Sequence, residues 1–139
     1  MDRRKVVHGV FCVYMVVLFG ITVFRPGIST WKLLGGEVNL SLFEWYLPLI
    51  QAGDWGRIVY LFVGNIVWFV PFGMYLRWRN GEMGMWKITA LGLGLSLVIE
   101  GLQFVMGTGY SELDDLILNT FGAWVGGNIK KIIDKVNEM

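Results

Sequence analysis

Asn65, the pair Glu100 and Gln103, and the acids Glu112, Asp114 and Asp115 leading into Asn119 are the polar groups whose types and spacing bear on chemistry. Glu100 and Gln103 stand three residues apart, so on a helix they share a face. Asp115 and Asn119 stand four apart, and Gly122 and Gly126 continue that stripe. A carboxylate among amides can bind a polar group or move a proton as general acid or base. The acids at 112–115 suit two uses. They can complement the dipole and free N–H groups of a helix N-terminus, with Ser111 or Asp114 as N-cap. They can also ligate a hard cation through oxygen. Capping is the plainer use, and no metal site is expected.

Other chemistries lack their parts. His8 is the one histidine and stands far from the acids, so no histidine-based zinc site or Ser-His-Asp triad can be assembled. Cys12 is the one cysteine, which excludes an intrachain disulfide. There is no Walker loop and no dinucleotide fingerprint, so no cofactor is expected. Twelve Lys and Arg against eleven Asp and Glu give a net charge of +1, too even to invite nucleic acid.

The elements that must position these groups are set by the solvent. Of 139 residues, 55% are apolar and 17% charged, with a mean hydropathy of +0.54. A soluble domain carries roughly a quarter charged residues. Here the charges gather in short blocks between long uncharged runs, as in a membrane protein. A helix crossing the hydrocarbon core needs roughly 20 mostly apolar residues. Residues 6–24, 58–76 and 88–106 fit, the last carrying Glu100 as its one acid. A fourth run, 113–133, is weaker, with Asn119, Asn128, three glycines and charges near its ends. Pro71 removes one backbone donor and kinks the second run, freeing a carbonyl near Val67. Gly122 and Gly126 form a GxxxG, which lets a neighbouring helix approach closely.

Basic residues set the orientation. Nine lie at the N-terminus, the second connection and the tail (Arg3, Arg4, Lys5; Arg77, Arg79, Lys87; Lys130, Lys131, Lys135). Three lie in the first connection (Arg25, Lys32, Arg57), and the third has none. Four spans with both termini cytoplasmic follow. Glu100 then lies about 9 Å below the outer end of its span and Asn65 about 10 Å below its own, at 1.5 Å per residue. With Asn119 near the outer end of the fourth span, these groups fall in the outer half of the bilayer, where one pocket would gather them. Intramembrane acids usually face a bundle interior or a wet cavity. Glu100 serves there either as a protonated acid tying helices together or as a binding group.

The first external connection contains NLSLFEWYLPLI (39–50), apolar and aromatic but too short to span. It is expected to lie in the outer headgroup region or to dip in and return. Trp31, Trp45, Tyr46, Trp55, Tyr60 and Tyr110 fall near the outer interface, and Trp78 and Trp86 near the inner one, as an aromatic belt. The fold expected is all-α: one polytopic bundle over 1–139, four transmembrane helices with an interfacial or re-entrant segment.

The strings NIVWFVPFG (65–73), EGLQF (100–104) and ELDDLILNTFGAWVG (112–126) together resemble the VanZ-like family of small membrane proteins. NLSLF (39–43) is similar to that family's Asn-Leu-x-Pro-Phe segment, with Leu42 where proline is common. Position by position, the resemblance implicates Asn65, Glu100, Gln103, Glu112, Asp115 and Asn119 as polar site residues and Pro71, Gly73, Gly122 and Gly126 as structural ones. Two departures stand out. Thr108 to Ser111 supply no arginine before the acids, and Glu112 replaces the commoner aspartate. The resemblance implies a place in the bacterial cell envelope and lowered susceptibility to teicoplanin and related lipid-tailed glycopeptides.

Three functions compete. A non-catalytic protein would bind or shield an outer-leaflet component, with membrane lipids and an envelope precursor or lipoglycopeptide as partners. An enzyme would modify a lipid-linked envelope precursor, with Glu100 and Asp115 as acid and base. A small transporter or homo-oligomer would share a pathway between copies. The first accounts best for outward acids, an aromatic external segment and polar groups in the outer half.

Overall fold

The computed structural model describes residues 2–24 and 32–137. Arg25, counted among the basic residues, and Trp31, assigned to the aromatic belt, lie outside the described residues. Five helices and two short strands occur among those described: α1 (Arg3–Thr22), β1 (Glu37–Asn39), α2 (Tyr46–Ala52), α3 (Trp55–Arg79), α4 (Met85–Met106), β2 (Tyr110–Glu112) and α5 (Leu113–Asn137). Strand β1 pairs with β2 in a two-stranded sheet.

Three helices, α1, α3 and α4, are long and apolar enough to cross a membrane. They match the runs expected at 6–24, 58–76 and 88–106, each starting three residues earlier, with α1 ending at Thr22, α3 running on to Arg79 and α4 ending at Met106. The Asp2 carboxylate accepts from Arg4 N at 3.0 Å, and that of Asp54 from Arg57 N at 3.1 Å, each satisfying an N–H the helix itself cannot. The fourth run also forms a helix, 25 residues long, but α5 is not among the three: Asp114, Asp115, Lys130, Lys131 and Asp134 dilute its apolar content. Little of the apolar surface turns inward. Only 6% of the apolar window of α1 and 11% of that of α3 is buried, which suits hydrocarbon and not water as the surroundings.

The described residues fall into two compact units. The first comprises residues up to Val38 and Val98–Ser111. There Leu34 N donates to Val105 O at 2.8 Å and Gly36 N to Phe104 O at 3.0 Å, seating the segment before β1 on the end of α4. Gly36 must be glycine for this approach, because a Cβ would overlap the Phe104 backbone.

The second unit comprises Asn39–Leu97 and residues from Glu112 on. Its centre is the contact of α3 with α5. A Cβ at Gly122 would overlap Ile66 O, one at Gly126 would overlap Val70 O, and one at Gly73 would overlap Ala123 O. Glycine on both helices thus brings backbone to backbone, the close crossing that small residues permit. Pro71 sits inside α3, which runs unbroken through it, on an exposed face. The segment 39–50, expected to lie on or dip into the membrane, forms turns at 42–45 and most of the two-turn helix α2, which ends at Ala52 and is closed by Gly53 at φ 69°. Leu42, Trp45, Leu47 and Ile50 of this segment are exposed.

Candidate functional site

The site is built on the first turn of α5. Asp114 and Asp115 stand there, where the helix dipole favours negative charge. Adjacent helical residues point about 100° apart, so the two carboxylates reach different neighbours. Asp114 is 2% exposed and accepts the backbone N–H of Phe43 at both oxygens, 3.0 and 2.9 Å away. Asp115 accepts the side-chain amide of Asn65 on α3. One turn of α5 therefore holds both the wall of α3 and the loop before α2.

Phe43 has φ 55°, a left-handed backbone that costs a non-glycine residue of order 1 kcal/mol or more. The charged acceptor at Asp114 offsets that cost. Phe43 O in turn accepts Tyr46 N at 3.1 Å, so the strained turn sets the start of α2 and places Tyr46. Tyr46 is buried, its ring edge-on to Phe43 and to Phe62 of α3. Burial, then the charges of Asp115, Asp114 and Glu112, push its hydroxyl up to about 12, since a phenolate would be desolvated and repelled. Tyr46 therefore keeps its proton beside the carboxylates.

Asn119, 5% exposed, lies one turn further along α5 and donates to the hydroxyl of Ser96 on α4 at 2.9 Å. Asn65 and Asn119 thus each bind α5 to a different helix of this unit. Glu112 closes β2 immediately before α5. The N-cap role expected of Ser111 or Asp114 belongs to neither. Asp114 is already inside the helix, and the Ser111 hydroxyl donates to Glu100 O at 2.7 Å.

Glu100 and Gln103 belong to the first unit, both buried on the C-terminal part of α4. Gln103 Nε2 donates to Thr22 O at 3.0 Å, tying the end of α1 to α4. Gln103 Oε1 and the Thr108 hydroxyl are buried with no hydrogen-bond partner.

Three members of the arrangement, Phe43, Tyr46 and Ser96, are not among the polar groups the sequence offers, and Asp114 stands there only as one of the acids of a cap or cation cluster. Asp114 had a signal, an acid in the first turn of a helix, but nothing separates it from Asp115 in sequence. Tyr46 read as an interface anchor. An apolar groove of about 400 Å³ runs along α4 and α5, lined by Thr89, Leu93, Ile117, Phe121 and Trp124 among others. It contains none of the candidate polar residues.

The VanZ/LLP1 family profile matches residues 11–134 of this chain. Protein VanZ of Enterococcus faecium is similar to it, 27% identical over 122 residues that cover 86% of this chain and 70% of that protein. No solved structure matches the chain.

Proposed function

The chain belongs to the VanZ/LLP1 family, and on that premise we propose that it is a multi-pass protein of the bacterial cytoplasmic membrane acting at the outer face. Four helices cross, α1, α3, α4 and α5, and both termini are cytoplasmic. The segment 39–52 lies in the outer headgroup region. The protein binds or shields a component of the outer leaflet without catalysis. In doing so it lowers susceptibility to teicoplanin-like lipoglycopeptides.

The observation that carries this reading is the hydrogen bonding at the start of α5, where Asp115 holds Asn65 and Asp114 holds Phe43. The exposed apolar side chains of segment 39–52 and the acids at 112–115 are thereby fixed together. Such a surface suits a partner with both an apolar part and hydrogen-bond donors. Asn119 completes the polar lining of that unit, and Glu100 with Gln103 forms a separate polar cluster in the first unit. The enzyme alternative makes Glu100 or Asp115 the acid or base that acts on a lipid-linked envelope precursor.

Expression of Asp115→Asn and Glu100→Gln variants in a susceptible host tests the proposal, with membrane levels checked by immunoblot. Loss of protection at equal protein level is expected for Asp115→Asn. Unchanged sensitivity for both variants sinks the polar site. A changed mass profile of lipid-linked precursors on expression would favour the enzyme instead.

A further inference from the structure

The last three turns of α5 lie outside the site described above. From Asn128 to Asn137, the side chains of Ile129, Ile132, Ile133 and Val136 fall within an arc of about 100°. They are exposed by 37, 63, 41 and 63%. Lys130, Lys131, Asp134 and Lys135 occupy the other side. Lys130 pairs with Asp134, while Lys131 and Lys135 are exposed and form no ion pair among the described residues. An apolar arc backed by lysines is the pattern of a helix end seated at the headgroup boundary of a bilayer.

The rest of that end of the second unit has the same sign. Gly127 packs on Met85 and Ile88, and Gly126 on Val70 and Met74, which brings the end of α5 beside the α3–α4 connection. That connection carries Arg77, Arg79 and Lys87, with Trp86 exposed beneath the Lys87 ammonium. Six basic residues face two acids, Glu82 and Asp134, among the described residues here. Arg77 Nη1 donates to Met83 O at 2.6 Å, which holds the guanidinium against the α3–α4 connection.

We propose that this end of the unit is a docking surface for an anionic bilayer leaflet. Lipid phosphates meet Lys131 and Lys135, and the isoleucine arc sits at the boundary between headgroups and acyl chains. Four to eight basic residues beside a spanning helix suffice for such recognition, each strengthening it roughly fivefold. The inference rests on the membrane reading of α3 and α4 but not on any outer-face function.

The full chain with Cys12→Ser and Ile132→Cys, spin-labelled at 132, is placed in nanodiscs of phosphatidylcholine alone or mixed with phosphatidylglycerol. Incorporation into both tests the membrane reading separately. In the anionic discs the label should become accessible to oxygen and shielded from a water-soluble nickel complex. Lys131→Gln with Lys135→Gln should lower the ratio of docked to lifted label on the order of 25-fold, and high salt should do the same. Free glycerol phosphate added to neutral discs should leave the label in water. A nickel-accessible label in both lipids overturns the proposal, as does one immobilised equally in both, which would mean contact with a second copy. Val136→Cys repeats the reading at an independent position.

Discussion

At the scale of single residues, the firmest feature is the pairing of a strained backbone with a buried charge. Asp114→Ala removes the acceptor of Phe43 N–H and is expected to cost about 2 kcal/mol, the usual loss for a hydrogen bond to a charged group. Denaturant titration in detergent micelles measures it. The same substitution removes one negative charge near Tyr46 and should lower its pKa from about 12 towards the ordinary 10. Tyrosinate absorbance reads this, with the phase missing from the Tyr46→Phe protein assigned to Tyr46. The folded state holds the Tyr46 proton more tightly than the unfolded one. Its contribution to stability is therefore whole below pH 10 and lost as pH rises through about 12. The loss is on the order of 2 kcal/mol, and the Tyr46→Phe protein should lack it.

At the scale of elements, glycine position decides the outcome. Gly122→Ala and Gly126→Ala push a methyl group into the carbonyls of α3, and two packed backbones have little room to yield. Each is expected to destabilise by about 2 kcal/mol, as overpacking does. Gly94→Ala on α4 meets open space and should be neutral or stabilising by up to about 1 kcal/mol from helix propensity. Unfolding of the three variants in one detergent distinguishes steric from propensity effects. The helices themselves were legible in the sequence because charge-free runs of about 20 residues leave few alternatives. Strands Glu37–Asn39 and Tyr110–Glu112 were not, since three-residue strands pairing across 70 positions leave no periodic signal. Nor was the Asn119–Ser96 pair. A serine in a glycine-rich span looks like packing until the facing amide is known. Asn65 and Asp115 were both readable as polar positions, but their direct bond depends on the angle at which α3 meets α5.

At the scale of the whole molecule, the question is how many times the chain crosses. Helices α1, α3 and α4 are apolar enough to insert alone, whereas α5 carries acids, amides and lysines that penalise insertion by a few kcal/mol each. What α5 gains is the α3 surface. Its glycine stripe buries backbone against backbone, and the Asn65–Asp115 bond satisfies a polar group at its N-terminal end. Crossing by α5 should therefore depend on α3 and not on hydropathy. The parity of the spans makes this measurable. With three crossings the two ends lie on opposite faces, and with four they lie on the same face. In a Cys12→Ser chain, Ser111→Cys should react with a membrane-impermeant maleimide in intact cells, and Lys135→Cys should react only after lysis. Adding Gly122→Leu, which cannot fit beneath Ile66 O, should let Lys135→Cys react without lysis in a measurable fraction of molecules. Labelling of that position in intact cells without the glycine change would mean three crossings, and α5 would then belong to the outer surface.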